Sequence, residues 1–339
     1  MAVRMHFTDE DLAQIRLAQA PDPMWEALLS MHTLQTAAAA AVFGGWRRTV
    51  RRRLQTHDAQ LLQLAPPVGY SADFLTPAAG AGGLDAGLSA LLSTPRRRFQ
   101  HDLLELSRTG RRLPVWARSL ADGDKEAVTL LARMFRSYFD TALAPWWEGI
   151  RARFDAERTV HERYLAQGDL PGLLGTLHPG LVWRGSVLVI PGLGDDRDVW
   201  LEGRGILILP SYFCWGAPTL LKDPGLPPVV VYPMAHDTAP CAVPGADGAV
   251  PVRPRSLDAL VGRTRARILT TVAGHGLTTS ELAHGVGVAP ATVSHHATVL
   301  REAGLLSTRR IGGSVLHTLT PLGLALLGER PALGSGLVA

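Results

Sequence analysis

Apolar residues recur at helical spacing along most of the first half of the chain, and start signals divide this region into several helices. Thr8 is placed to cap a first helix with Asp11 at its third position. An aspartate before Pro23 and a threonine before Pro95 are further combinations typical of helix starts. Residues 8–168 are therefore predicted to be mostly helical.

A long helix is predicted after Pro145, where apolar and aromatic residues form one stripe. Its members are Trp147, Ile150, Phe154, His161 and Leu165. Such a stripe is more typical of a core-facing side than of a cofactor site. The small apolar run 36–45 has about half the length that a bilayer span requires, so we expect it to form a buried helix.

Between residues 181 and 234 the pattern changes to short aliphatic and β-branched runs separated by glycine and proline. The segments SVLVIP, GILILP and PPVVVYPM are typical of strands, and EGRG between DVWL and ILILP suits a hairpin turn. A small β-sheet attached to the helical region is therefore predicted.

Residues 238–256 are dominated by proline, glycine and alanine, which is typical of a linker between domains. The predicted fold class is α+β, mostly α. An N-terminal domain covers residues 1–237, a C-terminal domain covers 257–328, and 329–339 form a tail. We expect the N-terminal domain to provide dimerisation, effector sensing or both.

After the linker, the pattern predicts two helices separated by a turn. The segment LDALVGRTRARILTTVAGHG is predicted as one amphipathic helix, whose apolar anchors are Leu260, Ile268, Leu269 and Val272. A second helix begins at Thr278 or Thr279 and turns Leu282 and Ala283 inward. Gly285 and Gly287 are expected to end it, as in a helix-turn-helix.

A third helix, 289–303, starts where Pro290 suits the first helical position. Its spacing assigns four residues to the inner face: Val293, His296, Ala297 and Leu300. Thr292 and His295 point outward, with Ser294 and Thr298 on the flanks. Two strands around Gly312 and Gly313 then form a wing, 306–320, and a last helix follows Thr320. This order of elements predicts a winged helix-turn-helix.

The segment VAPATVSHHATVLREAGLLSTRRIGGSVLHTLT resembles the recognition helix and wing of ArsR-type transcriptional regulators. The resemblance covers the region 257–328 and implies a homodimeric, DNA-binding repressor or activator. Ala297 stands where the family usually has leucine. The thiolate pair or the aspartate and histidine ligands of metal-sensing members are missing from TTSELAHGVG and PLGLALLGER, so the resemblance argues against metal sensing.

Composition fits a folded protein, with 46% hydrophobic and 19% charged residues. The net charge is +4, and most of the excess follows residue 255, as a nucleic-acid-binding module requires. Only Cys214 and Cys241 are present, without metal-ligand or disulfide spacing. The N-terminus carries no export signal, so a cytoplasmic location is expected, with no membrane partner.

The adjacent histidines 295 and 296 lie about 100° apart around a helix. A metal site formed by two histidines of one helix requires them to be four residues apart, on the same face. We therefore expect no metal, a core role for His296, and a DNA-facing role for His295. The residues expected to contact DNA are Pro290, Ala291, Thr292, Ser294, His295, Thr298, Arg301, Arg309, Arg310, Gly312 and Gly313.

The remaining candidate chemistry is weak. Gly192 and Gly194 follow a strand, but a phosphate loop would need a third glycine and a following helix. Cys214, His236 and Asp237 have no family signature for a thiol nucleophile. An aromatic patch, Tyr212, Phe213 and Trp215, suits either a pocket wall or the core. No cofactor and no enzyme activity are expected.

The leading hypothesis is a dimeric transcriptional regulator that reads an inverted repeat in double-stranded DNA. A small-molecule, non-metal effector is one further partner that this architecture allows. Two alternatives stay open: an enzyme that its winged helix targets to DNA, and a winged-helix module that binds proteins.

Overall fold

The computed structural model describes residues 2–108, 113, 115–178, 180–193, 196–234, 255–273, 276–311 and 314–327. The chain divides into two compact units. The N-terminal unit comprises Met1–Thr36 and Arg48–Met234, and the C-terminal unit comprises Ala37–Arg47 and Ala235–Ala339.

Helices dominate the described chain before residue 177. They are α1 (Asp9–Ala13), α2 (Pro23–Gln35), α3 (Ala40–Arg53), α4 (Thr56–Ala59), α5 (Leu84–Leu92), α6 (Arg96–Arg108), α7 (Val115–Asp122), α8 (Lys125–Ala142), α9 (Trp147–Ala166) and α10 (Leu170–Thr176). Short 3-10 helices lie between them at Gln60–Leu64, Asp73–Leu75, Ala78–Gly82 and Ala144–Trp146. The sequence prediction of a mostly helical chain with attached sheet is confirmed.

Two of the predicted helix starts are also confirmed. Thr8 and Asp11 form a reciprocal capping box at α1. The Asp22 carboxylate accepts from the backbone N–H groups of Met24 and Trp25 at the start of α2, which begins at Pro23. The helix predicted over 36–45 is wrong in its first part, because α3 begins only at Ala40, after Ala39 with a positive φ of 51°.

The N-terminal unit holds two four-stranded sheets rather than one small sheet. The first has the order β3 (Val182–Arg184), β4 (Val187–Pro191), β1 (Ala2–His6) and β5 (Arg197–Trp200). The second has the order β2 (Ile15–Leu17), β6 (Ile206–Ser211), β8 (Val229–Pro233) and β7 (Thr219–Leu220).

The hairpin predicted at EGRG is wrong. Strand β5 pairs in parallel with β1, while β6 pairs in parallel with both β2 and β8, so the segment between β5 and β6 connects two sheets. The sequence did not predict strands β1 and β2. Because β5 pairs with β1 and β6 pairs with β2, strands β5 and β6 belong to different sheets. Both sheets share one buried cluster, with Val3 and Met5 from β1 and Ile208 from β6.

A buried carboxylate fixes the segment that follows β6. Glu26 on α2 is 1% exposed and accepts from the backbone N–H of Tyr212 at 2.8 Å, the N–H of Phe213 at 3.0 Å and the Ser211 hydroxyl at 3.0 Å. Tyr212 and Phe213 are themselves buried, at 5% and 2% exposure. These two aromatic residues therefore belong to the core rather than to an open pocket wall.

The C-terminal unit contains helices α11 (Arg255–Val261), α12 (Arg263–Val272), α13 (Thr279–Val286), α14 (Pro290–Glu302) and α15 (Pro321–Leu326). A three-stranded antiparallel sheet has the order β10 (Leu306–Ile311), β11 (Ser314–Leu319) and β9 (Leu277–Thr278). This arrangement of helices, hairpin and final helix is that of a winged helix-turn-helix.

Three details of the predicted helices before α14 are wrong. The segment predicted as one helix forms two helices, α11 and α12, because Gly262 interrupts it with a φ of 85°. Leu260 is 69% exposed rather than buried. Leu257 takes the buried position instead, at 9% exposure. Gly285 lies inside α13, and only Gly287, in the left-handed conformation, ends that helix.

Candidate nucleic-acid interface

Helix α14 begins and ends as its sequence predicts. Pro290 occupies the first turn, and the left-handed Gly304 follows the end of the helix with a φ of 71°. Its inner face packs Val293, Ala297 and Leu300 into the core of the unit, at 0%, 2% and 2% exposure. The small side chain of Ala297 thus still lies in the core. This burial fixes which face of α14 meets solvent.

The predicted contact residues of α14 lie on the solvent side or at its borders. Pro290, Ala291, Ser294, His295 and Arg301 are exposed, while Thr292 and Thr298 are half-buried. The Thr298 hydroxyl donates to the carbonyl of Ser294 at 2.9 Å. The helix therefore presents polar and cationic side chains of the types that, in protein–DNA complexes generally, hydrogen-bond base edges and phosphates.

The wing lies directly after α14 in the chain. Leu306–Ile311 pairs with Ser314–Leu319 in antiparallel register, so that Arg310 is opposite Val315 and Ile311 is opposite Ser314. Arg309 and Arg310 are in the strand, and the described structure does not extend to their side chains. Gly312 and Gly313 lie outside the described residues.

Charge in this unit is one-sided. Residues 255–327 contain seven arginines against three acidic residues, Asp258, Glu281 and Glu302. The Glu281 carboxylate accepts from the backbone N–H and the hydroxyl of Thr278 in the capping box of α13. Within the described part of the chain, Arg263, Arg265, Arg267 and Arg301 form no ion pair. Their positive charge is therefore available to an anionic partner.

Among the histidines that the structure describes in this unit, His317 on β11 is buried and His296 is not. His317 is 4% exposed, with the Thr279 hydroxyl 3.0 Å from its Nε2 and the Thr308 hydroxyl 3.4 Å from its Nδ1. Burial, followed by the charge of Arg301, lowers its pKa. The sequence signal for this site was strand alternation, which places His317 on the same face of β11 as Val315 and Leu319.

His296 is half-buried at the border of the inner face, which corrects its assignment to the core. Its ring contacts that of His295 edge to face, with centroids 5.4 Å apart. Burial, then the charges of His295 and Arg265, lower the pKa of His296. The two histidines thus meet each other, and both lie within reach of solvent.

The structure gives little support to the other candidate sites. Cys214 is buried, and burial followed by the charge of Glu26 raises the pKa of its thiol, which disfavours a nucleophilic thiolate. Cys241, His236, Asp237 and Gly194 lie outside the described residues. From Gly192 the described chain leads into β5 rather than into a helix. Over the described ranges, no group of three or more acidic, histidine or cysteine side chains is arranged to hold a metal ion.

A recess in the N-terminal unit lies between β5 and residues 220–229, where Met5, Val199 and Leu220 form part of its wall. Two guanidinium groups border it. Arg197 donates to the carbonyls of Lys222 and Leu221, and Arg204 donates to those of Leu201, Pro224 and Trp200. Both cations thus hold neighbouring backbone in place.

Among the helices that the structure describes, none is long and apolar enough to cross a membrane.

Comparison with known proteins gives one match, to part of the C-terminal unit. Residues 262–308 match the family described as bacterial regulatory protein, arsR family, and this stretch runs from the start of α12 into β10. No curated protein and no solved structure matches the chain. The matched residues include the turn between α13 and α14 and nearly all of the inner and outer faces of α14 described above. The chain thus carries an ArsR-family helix-turn-helix, a DNA-binding domain of the transcription-regulator class.

Proposed function

We propose that this protein is a dimeric transcriptional regulator that reads an inverted repeat through the helix 289–303 and the wing 306–320. One observation carries the proposal. The helix that follows the turn in an ArsR-family domain buries its apolar face and turns Ser294, His295 and Arg301 outward, in a stretch, residues 255–327, that has seven arginines against three acidic residues.

A dimer is proposed because a single winged helix contacts few base pairs. Each mismatched base pair costs about 1–3 kcal/mol, so one short half-site does not distinguish an operator from the competing sites of a genome. Two domains related by a two-fold axis double the site and require half-sites about one helical turn apart, or a multiple of it.

The N-terminal unit would then provide dimerisation, effector sensing or both. Its support is that this unit has its own hydrophobic core and that the family match does not extend to it. We propose a non-metal effector because the described residues contain no metal-ligand cluster and the ArsR metal ligands are missing from the sequence. Such an effector acts only if it binds the DNA-competent and incompetent dimers with different affinity.

Light scattering on the full-length protein, alone and with duplex DNA, tests this proposal. We expect the protein alone to be a dimer. With duplex DNA that carries the operator, we expect a complex of one dimer per duplex. A strict monomer at micromolar concentration under both conditions would refute the dimeric reading. Binding of stoichiometric zinc that lowers DNA affinity tenfold, about 1.4 kcal/mol of coupling, would refute the non-metal reading.

A further inference from the structure

Helix α3 lies in a stretch of the chain that is rich in arginine and has no acidic residue. Residues 27–57 contain five arginines and neither aspartate nor glutamate. The acidic residues that flank this stretch, Glu26 and Asp58, are 1% and 0% exposed. Glu26 accepts from backbone N–H groups, and the Asp58 carboxylate accepts from the Ser137 hydroxyl at 2.7 Å. Neither carboxylate is therefore at the surface to neutralise the arginines.

The last two turns of α3 carry what we call the α3 arginine cluster. It consists of four exposed side chains, Arg48, Arg51, Arg52 and Arg53. Helical spacing places Arg48 and Arg52 one turn apart, each about 160° around the helix from the fully buried Val50. The Arg51 guanidinium donates to the carbonyl of Leu34 at 2.7 Å, which holds it beside the end of α2. The cluster therefore occupies the side of α3 opposite its buried residues.

Other arginines of the N-terminal unit have acidic partners. On α6, Arg98 forms an ion pair with Asp223. On β1, the Arg4 guanidinium lies 2.9 Å from the Asp198 carboxylate. Among the residues that the structure describes, no member of the α3 arginine cluster forms an ion pair. The positive charge of the cluster is thus not compensated within the described chain.

The helix dipole accounts for only part of the cluster. Cationic side chains at the C-terminus of a helix interact favourably with its dipole, but this effect falls off beyond the last turn. Arg51, Arg52 and Arg53 lie in the last turn of α3, whereas Arg48 precedes it. Arg48 and Arg52, four residues apart, repel each other, which destabilises the helix. An anion bound between them would offset this repulsion.

Two observations favour DNA phosphate over an anionic lipid surface as that anion. Helices that bind membranes in this way expose large apolar side chains beside their cations. In α3, Phe43, Trp46 and Val50 are 1%, 7% and 0% exposed, so these side chains are not available to insert into lipid. The same chain carries an ArsR-family helix-turn-helix, so duplex DNA is the polyanion that the rest of the chain indicates.

We propose that the α3 arginine cluster binds the phosphate backbone of duplex DNA, as a second contact in addition to the winged helix. The inference rests on the proposed function, because it takes DNA as the partner of the chain. Guanidinium groups donate paired hydrogen bonds to phosphate oxygens, and such contacts carry no sequence information. The cluster therefore adds affinity and salt dependence on any duplex, while operator selection stays with α14.

The test uses the full-length protein and a labelled duplex of mixed sequence, about five helical turns long. The variant Arg48→Gln/Arg52→Gln removes two members of the cluster and keeps the hydrogen bond of Arg51. The matched control is Arg118→Gln/Arg151→Gln, which removes the same charge from exposed positions on α7 and α9 of the same unit. Affinity is measured over a range of salt for all three proteins, beside their melting temperatures.

We expect Arg48→Gln/Arg52→Gln to bind the duplex about tenfold more weakly near physiological salt. Its salt slope should fall by about one unit for each phosphate contact that is lost. The control Arg118→Gln/Arg151→Gln should change affinity by less than about twofold, because exposed charges more than about 8 Å from a phosphate are largely screened. Both variants should melt at the wild-type temperature, since the substituted side chains are exposed.

A second measurement uses the wild-type protein and needs no variant. Phenylglyoxal modifies accessible arginine side chains, and mass spectrometry of the resulting peptides gives the extent of modification at each position. We expect bound duplex to protect Arg48 and Arg52 and to leave Arg118 and Arg151 as reactive as in the free protein.

The outcomes separate the inference from the function on which it rests. If the wild type and both variants bind the duplex equally well, or if DNA does not protect Arg48 and Arg52, the second contact is refuted while the proposed function stands. If Arg48→Gln/Arg52→Gln keeps its DNA affinity but loses binding to phosphatidylglycerol vesicles, the cluster binds lipid and the inference is wrong. If the wild type shows no salt-dependent binding to the duplex, the proposed function fails as well.

Discussion

The two units of this protein differ in where their charged side chains lie and in what those side chains contact. In the N-terminal unit, several acidic side chains, among them Glu26, Asp73 and Asp102, are buried and accept hydrogen bonds from backbone N–H groups. In the C-terminal unit, Arg263, His295 and Arg301 are exposed, and none of them forms an ion pair within the described part of the chain. The difference indicates that buried acidic charge fixes loops in the first unit and that cationic charge remains available for an anionic ligand in the second.

A second cluster in the N-terminal unit shows the same inward use of charge. Asp102 on α6 is fully buried and accepts from the backbone N–H of Phe74 at 2.7 Å. Asp73 accepts from the backbone N–H of Asp223, whose carboxylate pairs with Arg98. Burial, followed by the charge of Asp73, raises the pKa of Asp102 to about 6. These contacts tie the segment after β7 to the helical region.

The largest expected effect is the loss of the Glu26 carboxylate. Glu26→Ala leaves the backbone N–H groups of Tyr212 and Phe213 buried without acceptors, and it leaves a cavity. We expect the free energy of unfolding of the N-terminal unit to fall by about 3–5 kcal/mol. Denaturant titration measures this, with the exposed Glu148→Ala as a control expected to change it by less than about 0.5 kcal/mol. Equal effects of the two variants would contradict an anchoring role for Glu26.

The two histidines of the C-terminal unit give the next effect. His317→Ala removes a buried ring and leaves the hydroxyls of Thr279 and Thr308 without their partner, so we expect a loss of about 1–3 kcal/mol. His296→Ala removes a half-buried ring and should cost about 0.5 kcal/mol. Thermal unfolding of both variants checks the order. A larger loss of stability in His296→Ala than in His317→Ala would show that His296 is the histidine that stabilises the core.

Glu26 makes one contribution to the pH dependence of stability in the N-terminal unit. Burial raises its pKa from 4.5 to about 7, so the folded state binds the proton more tightly than the unfolded state does. The resulting stabilisation is present at low pH and is lost as pH rises through about 7. Between pH 8 and pH 6.5 we therefore expect Glu26 alone to add about 0.8 kcal/mol to the free energy of unfolding.

Two buried histidines oppose this contribution over the same range of pH. Burial lowers the pKa of His32 and of His161 from 6.5 to about 4, so protonation of the unfolded state costs about 0.4 kcal/mol for each between pH 8 and pH 6.5. The difference between the wild type and Glu26→Gln therefore isolates Glu26, and the free energy of unfolding of the wild type should gain about 0.8 kcal/mol more than that of the variant. Equal changes in the two proteins would show that Glu26 does not contribute to this pH dependence.

The smallest expected effect concerns the wing. Arg310→Ala should weaken operator and non-operator DNA alike and reduce the salt slope by about one unit, because a phosphate contact carries no sequence information. Affinity measured over a range of salt on both duplexes gives the slope. If the variant instead lost discrimination between the two duplexes, Arg310 would be a base contact.

The sequence predicted those parts of the fold that depend on local signals. Thr8, Asp22 and Pro290 start helices as expected, because capping and the fixed φ of proline act within one turn. The pairing of β1 with β4 and β5 was missed, since the partners are nearly two hundred residues apart and short strands carry no record of their neighbours. The EGRG error has the same cause.

In the candidate interface, the periodicity of α14 located Val293, Ala297 and Leu300 correctly, since three apolar residues define one face. The same periodicity placed His296 too far inward. His296 lies at the border of the inner face, about 60° around the helix from the buried side chains, and is half-buried. His317 could not be found in this way. Its hydrogen bond to Thr279 comes from packing between β11 and α13, which is a tertiary contact.

The central claim, that the exposed face of α14 reads duplex DNA, is tested most directly by selecting binding sites from a random duplex pool with the full-length protein and with His295→Ala. We predict that the wild type enriches an inverted repeat with half-sites about one helical turn apart. His295→Ala should relax one position in each half-site, at a cost in discrimination of about 1–3 kcal/mol. Enrichment of no sequence by the wild type, or of the same motif with equal preference by both proteins, would contradict this account of the interface.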